Sequence, residues 1–287
     1  MIWVDAVMQG VLIGGLYALF AMGLSLMFGI MRMVNVAHGD MVILMAFLGL
    51  LMTEAFGLGP FAAMAVVVPI AFGIGYVLQR GVLNHTISKD PLRSLVVTFG
   101  ISIVVQNLLL EFFSADTRAI ASGGLESQSV ALAGNLAAGV LPLIIFGSAV
   151  LLTIALQQLF GNTTIGRAFR ATSDDPGAAA LMGVNNAHVY AFATAIAIGI
   201  LGIAGIFHGM RTIFSPTDGP AQLIYAFEAV IIGGMGSFWG TLAGGVILGI
   251  TQAIGARIDP GWGVLLGHVT FVLVLLFKPN GLFPKTR

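Results

Sequence analysis

The first apolar run of this chain, Val7–Met31, is long enough to cross a lipid bilayer. It contains no charged side chain, and a helix of about 20 predominantly apolar residues spans the hydrocarbon core. The first basic residue is Arg32, so the run lacks the positive flank of a secretory signal and is predicted to be a retained span. Because backbone polar groups inside a bilayer must be paired within the protein, we expect a helical membrane fold.

Eight further apolar segments follow, and they predict an all-α fold. Of the 287 residues, 58% are hydrophobic and only 8% are charged, which is the composition of a polytopic membrane protein. We predict a polytopic transmembrane helix bundle of eight or nine spans with broken or re-entrant segments, in one transmembrane domain over residues 1–287. The 12 basic residues balance the 12 acidic ones, which gives no indication of nucleic-acid binding. The further predicted spans are Met41–Phe56, Pro60–Leu78, Leu95–Phe113, Gly139–Phe160, His188–His208, Leu223–Ile232, Thr241–Ala256 and Val264–Phe277.

Many of the 39 glycines lie inside these segments at a spacing of four residues. The pairs Gly10/Gly14 and Gly245/Gly249 are examples. This spacing lets helix backbones approach closely in membranes. It predicts tight packing and, being common in polytopic proteins, no particular function.

The distribution of Lys and Arg among the short loops predicts the orientation. With the N-terminus outside and Leu223–Phe238 counted as a span, nine basic residues lie inside and three outside. This places the loop around residues 161–187 and the C-terminus in the cytoplasm. The inside residues are Arg32, Arg80, Lys89, Arg93, Arg167, Arg170, Lys278, Lys285 and Arg287, and the outside residues are Arg118, Arg211 and Arg257.

The stretch Gly166–Gly183 is the least membrane-like part of the chain, and it predicts a short helix. Asp175 suits the N-cap, Pro176 the first helical position and Gly183 the position after the C-terminus. A helix of about two turns is marginal in water, so we expect it to dock on a surface.

Charged residues surround this predicted helix. Arg167 and Arg170 precede it, and Asp174 and Asp175 lie at its start. The loop therefore offers both signs of charge to a partner outside the bilayer. The alternative interpretation is an ordinary connector between two spans.

Two interruptions of the apolar pattern resemble each other. Asn35–Gly49 and Gly234–Gly249 each begin with a short Gly-containing polar break and continue as a helix rich in small residues. Broken helices in corresponding positions form midplane sites in internally repeated transporters, and such a break must line a cavity or be buried by protein. The alternative is a plain cytoplasmic turn at Arg32–Asp40 with a chance similarity to the later break.

Ionisable residues within the apolar segments are candidates for function because charge is costly there. Asn35, His38 and Glu228 are our candidates for the substrate pathway. For Glu228, however, the residues favour a structural hydrogen bond between helices over substrate contact. The ionisable residues in question are His38, Asp40, Glu111, His208, Glu228 and His268.

No catalytic signature is present in the sequence. It has no metal-ligand spacing, no nucleophile elbow and no phosphate-binding loop, and it has no cysteine for disulfides or thiolate ligands. We therefore expect no enzymatic activity, no metal and no cofactor on this chain, so that any ATP is bound by another subunit. Two alternatives remain: an ion-coupled secondary transporter or channel that uses Asp40 and Glu228, and, less favoured, an intramembrane enzyme.

Three segments together resemble the inner-membrane permease subunits of ATP-binding-cassette importers for branched-chain amino acids. They are GLYALFAMGLSLMFGIMRMVNVAHGDMVILMAF, GRAFRATSDDPGAAALMGVN and YAFEAVIIGGMGSFWGTLAGGVILG. The resemblance implies a second, related permease subunit, two cytoplasmic subunits that bind ATP with Mg, and a periplasmic binding protein that delivers the ligand. That family also includes permeases for urea, short amides and aromatic acids. By this likeness the coupling residues would be Arg170, Asp174, Asp175, Ala179 and Gly183.

Overall fold

The computed structural model describes residues 2–87, 91–133 and 136–283. Three residues of the charge count, Lys89, Lys285 and Arg287, lie outside this part of the chain. One small antiparallel hairpin accompanies the helices, formed by β1 (Ser129–Ala133) and β2 (Leu136–Gly139). The helices are α1 (Ile2–Met31), α2 (His38–Phe56), α3 (Pro60–Gly81), α4 (Pro91–Phe113), α5 (Val140–Asn162), α6 (Thr164–Asp174), α7 (Pro176–Leu181), α8 (Asn186–Arg211), α9 (Gly219–Gly233), α10 (Phe238–Ile258) and α11 (Trp262–Phe277).

The predicted all-α membrane bundle is confirmed. Within the described ranges, seven helices are long and apolar enough to cross a membrane. Two further apolar helices, α9 and α11, have 15 and 16 residues and are shorter than a complete span. Each of the nine predicted apolar segments thus coincides with a helix, and the two short ones explain why the span count was ambiguous.

Helix α1 lies at the centre of the bundle and packs closely along α10. A Cβ on Gly249 would lie 2.3 Å from the carbonyl oxygen of Gly10, and a Cβ on Gly14 would lie 2.5 Å from the Cα of Val246. Side chains larger than hydrogen are therefore excluded along this seam. The small-residue spacing in both helices produces a backbone-to-backbone contact, as the sequence predicts.

The first polar break turns back into the bundle. Helix α1 ends at Met31, yet the Nε2 atom of His38 lies 2.8 Å from the carbonyl oxygen of Phe20. Phe20 precedes the end of α1 by 11 residues, which is about 16 Å along a helix. Asn35 and His38 are completely buried. The segment between α1 and α2 is therefore re-entrant, and the alternative of a plain surface turn is wrong.

The segment Thr212–Asp218, which connects α8 to α9, brings the start of α9 against the start of α2. A Cβ on Gly39 would lie 2.0 Å from the carbonyl oxygen of Gly219. The break at Gly234, which resembles the first one in sequence, lies elsewhere, since a Cβ on Gly29 near the end of α1 would lie 3.1 Å from the Cα of Gly236.

Candidate functional site

Helix α6 forms because its residues separate into a buried and an exposed side. Gly166, Phe169 and Thr172 are buried at a spacing of three residues, and Phe169 stacks on Phe160 of α5 with ring centroids 5.0 Å apart. The Thr163 hydroxyl caps the helix by accepting a hydrogen bond from the Gly166 amide at 3.0 Å. The sequence treated these residues as part of a loop, because the apolar signal of so short a helix is weak.

Hydrogen bonds hold α6 and α7 to the rest of the bundle. The Ser173 hydroxyl donates to the carbonyl oxygen of Gly29 near the end of α1 at 2.7 Å. The Thr172 hydroxyl donates to the Asn186 Oδ1 at 3.2 Å, and the Asn186 amide donates to the Pro176 carbonyl at 2.6 Å. Helices α6 and α7, called here the α6–α7 unit, are thereby tied to both α1 and α8.

Helix α7 has the predicted caps. The Asp175 carboxylate accepts hydrogen bonds from the amides of Gly177 at 2.8 Å and Ala178 at 3.0 Å. Gly183 has φ +86°, a conformation that costs glycine little. Ala179 is the buried residue of α7. The predicted short helix is confirmed from Pro176 to Leu181.

The free side of the α6–α7 unit combines apolar and charged groups. Leu181 and Met182 are 91% and 85% exposed. Arg167, Asp174 and Asp175 are exposed beside them. Large apolar side chains flanked by charges are typical of protein-interaction surfaces. We call this set the docking face.

Arg170 differs from Arg167, although both belong to α6. It is half-buried and lines a cavity of about 310 Å³ at the Met31 end of α1, named here the Arg170 cavity. Gly236 and Ser237, from the break before α10, line the same cavity. The side chain thus lies between the α6–α7 unit and that break, and it does not join the docking face.

The pathway candidates Asn35 and His38 share the first break. The Asn35 Oδ1 accepts a hydrogen bond from the Ala37 amide at 3.1 Å. The Asn35 Nδ2 and the His38 Nδ1 have no hydrogen-bond partner in the described ranges, which is costly for buried polar atoms. Since both residues are 0% exposed, a substrate reaches them only if the helices move.

The structure places Glu228 with a different partner. Its carboxylate is hydrogen-bonded to the Nδ1 of His268, so it ties α9 to α11. Asp40 has an equivalent role, since it accepts a hydrogen bond from the Gln106 amide of α4 at 2.8 Å and is 1% exposed. The two carboxylates that could serve an ion-coupled transporter therefore both bridge helices.

A second cavity, of about 320 Å³, contains charged residues that the sequence analysis did not select. It lies between α1, the end of α8 and the start of α9, and we name it the Tyr17 cavity. Arg211 and Asp218 both line it. The available signal was a pair of opposite charges flanking the short segment Thr212–Thr217, of which Arg211 alone is explained from sequence by solvation at a span end.

The two cavities open on different sides of α1. The Tyr17 cavity is lined by Ile13, Leu16, Tyr17 and Phe20, and the Arg170 cavity by Ser25, Leu26, Gly29 and Ile30. At 3.6 residues per turn these two sets face in roughly opposite directions. The cavities therefore do not form one continuous channel along α1.

Comparisons with known proteins agree with this architecture. The chain is 27% identical to the high-affinity branched-chain amino acid transport system permease protein BraD of Pseudomonas aeruginosa, over 99% of this chain and 96% of that protein. It is also 27% identical to the permease protein LivH of the same kind of system in Escherichia coli, over 96% and 94% of the two chains. The permease protein LivM of Escherichia coli is 24% identical over 95% of this chain and 68% of its own length.

One solved structure has a similar fold. It is described as PsaBC from Streptococcus pneumoniae in complex with Fab, with a TM-score of 0.50 and 15% identity over 95% of this chain and 92% of the matched chain. At the level of the family, residues 6–275 match the sequence profile described as "Branched-chain amino acid transport system / permease component". The chain therefore belongs to the family of permease components of branched-chain amino acid transport systems.

Proposed function

We propose that this chain imports branched-chain amino acids, or a closely related small amino acid or amide, as one permease subunit of an ATP-driven complex. Its partners would be a second permease subunit related to it, two cytoplasmic subunits that bind ATP with Mg, and a periplasmic binding protein. The BraD and LivH relatives support the substrate class. The similarity to LivM, a second permease protein, supports a heteromeric pair.

The observation that carries this proposal is the docking face. Leu181 and Met182 are almost fully exposed at one end of the bundle, while the helix that bears them is capped at both ends. A monomeric protein gains nothing by exposing these side chains to water, whereas an ATPase groove would bury them. The count of basic loop residues supports a cytoplasmic location for this end.

Three connections lead from the α6–α7 unit into the bundle. Ser173 connects it to α1, Asn186 connects it to α8, and Arg170 connects it to the break before α10. Movement of the ATPases would thus reach α1, α8 and the start of α10 at once. Alternating access then requires two discrete packings of the bundle rather than a gradual deformation.

The test removes the apolar part of the docking face. The double variant Leu181→Ser/Met182→Ser should insert and fold normally, because neither side chain contributes to the core. We expect the tagged variant to lose its ATPase partners in a pull-down from native membranes analysed by mass spectrometry, and to lose ATP-driven leucine uptake.

The control is Val130→Ser in β1, which is 46% exposed. Helix α5 separates β1 from α6 in the chain, so Val130 lies at the other end of α5 from the docking face. It should keep both partners and uptake. Normal partner recovery in the double variant would contradict the docking assignment. Uptake by this chain alone, without ATP and abolished by an ionophore, would replace the proposal with a secondary transporter.

A further inference from the structure

The Tyr17 cavity holds two opposite charges that do not neutralise each other. Arg211 and Asp218 both line it, yet they form no ion pair with each other, and the guanidinium of Arg211 donates no hydrogen bond within the described ranges. Both side chains are half-buried. Unpaired charges in a membrane protein are costly, and ionisable residues retained there commonly line substrate or ion pathways.

The surroundings fix Asp218 in position without neutralising it. Its carboxylate accepts hydrogen bonds from the amide of Ser215 at 2.7 Å and from the hydroxyl of Ser215 at 2.8 Å. These bonds hold the carboxylate at the start of α9, and no cationic side chain in the described part of the chain forms an ion pair with it. A carboxylate held in this way is available to an ammonium group.

One further polar atom of a residue that lines the cavity, the Nε2 of His208, is also without a hydrogen-bond partner among the residues described. His208 is 6% exposed. The hydroxyl of Tyr17, by contrast, donates to the Oε1 of Gln252 at 2.5 Å. An unpartnered ring nitrogen on a residue that lines the same cavity as the two unpaired charges is a second observation in favour of a polar ligand there.

The wall of the cavity nearest the bundle centre is apolar. Ile13, Leu16 and Phe20 contribute to it from one face of α1. The ring of Phe20 packs edge-on against His208 with centroids 5.7 Å apart, and the carbonyl oxygen of Phe20 contacts His38 of the re-entrant segment. A ligand against this wall would therefore contact Phe20, which connects the cavity to His38 at the start of α2.

We propose that the Tyr17 cavity is a binding subsite for an aliphatic α-amino acid, in which Arg211 binds the carboxylate and Asp218 binds the ammonium group. The apolar wall receives the side chain. The volume of about 320 Å³ lies at the lower end of the range for small-ligand pockets, roughly 300–1,000 Å³. An Arg fork matches a carboxylate through two parallel hydrogen bonds. The assignment rests on the proposed function, since it places that substrate class at named residues.

The test pairs each charged residue with a leucine analogue that lacks the group this residue is proposed to bind. The purified permease–ATPase complex in nanodiscs, without the binding protein, is titrated with leucine, with leucinamide, which has no carboxylate, and with N-acetyl-leucine, which has no ammonium group. Arg211→Gln should weaken leucine binding by about tenfold or more, the size of a charge-assisted hydrogen-bonded pair, and leave leucinamide binding unchanged. Asp218→Asn should weaken leucine binding similarly and leave N-acetyl-leucine binding unchanged.

The matched control is Arg257→Gln. Arg257 contacts Asp5 at 3.2 Å at the far end of α10 and does not line the cavity, so its loss should change no affinity. Equal weakening of leucine and leucinamide in Arg211→Gln would overturn the assignment, as would no weakening or no leucine binding to the unmodified complex. ATP-driven leucine uptake by the unmodified complex with its binding protein tests the proposed function separately. Uptake without the predicted binding pattern would reject only the subsite.

Discussion

At the scale of single residues, two arginines one helical turn apart on α6 have different surroundings. Arg167 is exposed on the docking face, whereas Arg170 is half-buried and lines the Arg170 cavity with Ser237. Neighbouring positions with the same charge thus serve as controls for each other. Substituting them one at a time should distinguish attachment of the proposed partner from transmission of its movement.

Charge reversal at these two positions should give different defects. Arg167→Glu should reduce recovery of the ATPase subunits, because it changes the surface they contact. Arg170→Glu should leave that recovery intact and abolish leucine uptake, because it places a carboxylate beside the break before α10. Pull-down and uptake measured on the same membranes distinguish the two. Loss of the ATPases in Arg170→Glu alone would mean that this side chain belongs to the docking face.

Glu228 is a buried carboxylate that contacts a second helix. Its hydrogen bond to His268 ties α9 to α11. Neither helix is long enough to cross the bilayer alone, and this polar contact joins the two.

Removing this contact should destabilise the bundle more than it affects substrate recognition. We expect Glu228→Ala to cost about 0.6–2 kcal/mol, the range found for hydrogen bonds between membrane helices, measured by denaturant titration in micelles. Glu111→Ala is the control, since Glu111 is exposed at the end of α4. Unchanged stability together with a higher KM for leucine would instead assign Glu228 to the pathway.

At the scale of elements, the seam between α1 and α10 depends on the absence of side chains. Gly10, Gly14, Gly245 and Gly249 bring the two backbones into contact between Gly10 and Ala18 of α1. Because α1 also contacts α5, α8 and α9, any displacement of it spreads through the bundle.

A methyl group in this seam should therefore be poorly tolerated. Gly249→Ala places a Cβ 2.3 Å from the Gly10 carbonyl oxygen, and we expect a loss of about 1–3 kcal/mol from overpacking. Gly73→Ala in α3 is the matched control, because a Cβ there meets no atom within 4 Å. The midpoints of detergent-induced unfolding should fall for the first variant only. Equal stability of both would show that α1 and α10 can separate without loss.

The re-entrant segment and the start of α9 form the other element-level contact. Gly39 and Gly219 bring the N-termini of α2 and α9 together inside the bundle. Two helix N-termini at one place concentrate partial positive charge. Asp40 lies in the first turn of α2, where this partial positive charge favours a carboxylate. The hydrogen bond from Gln106 stabilises the same carboxylate.

At the scale of the whole molecule, the separation of the two cavities bears on assembly. They lie on opposite sides of α1 and do not connect along it. The large apolar surfaces of α3, α4, α5 and α11 are exposed to lipid or to the proposed second permease subunit.

The sequence by itself determined the elements of this protein. Apolar runs long enough for a bilayer predicted the nine apolar helices, and Asp175, Pro176 and Gly183 predicted the short helix α7 with its caps. These signals succeed because they are local: hydrophobic length and capping chemistry act within a few turns of one segment. Family resemblance then indicated the transport system, which the family profile and the full-length relatives confirm.

Only the tertiary structure decided where those elements place their side chains. It set the depth of the first break, the pairing of Glu228 with His268, the direction of Arg170, and the meeting of Arg211 and Asp218 at one cavity. Each of these depends on contacts between helices far apart in the chain. In a membrane protein, lipid-facing and core-facing surfaces are both apolar, so hydrophobic periodicity cannot show which face of a helix meets which neighbour.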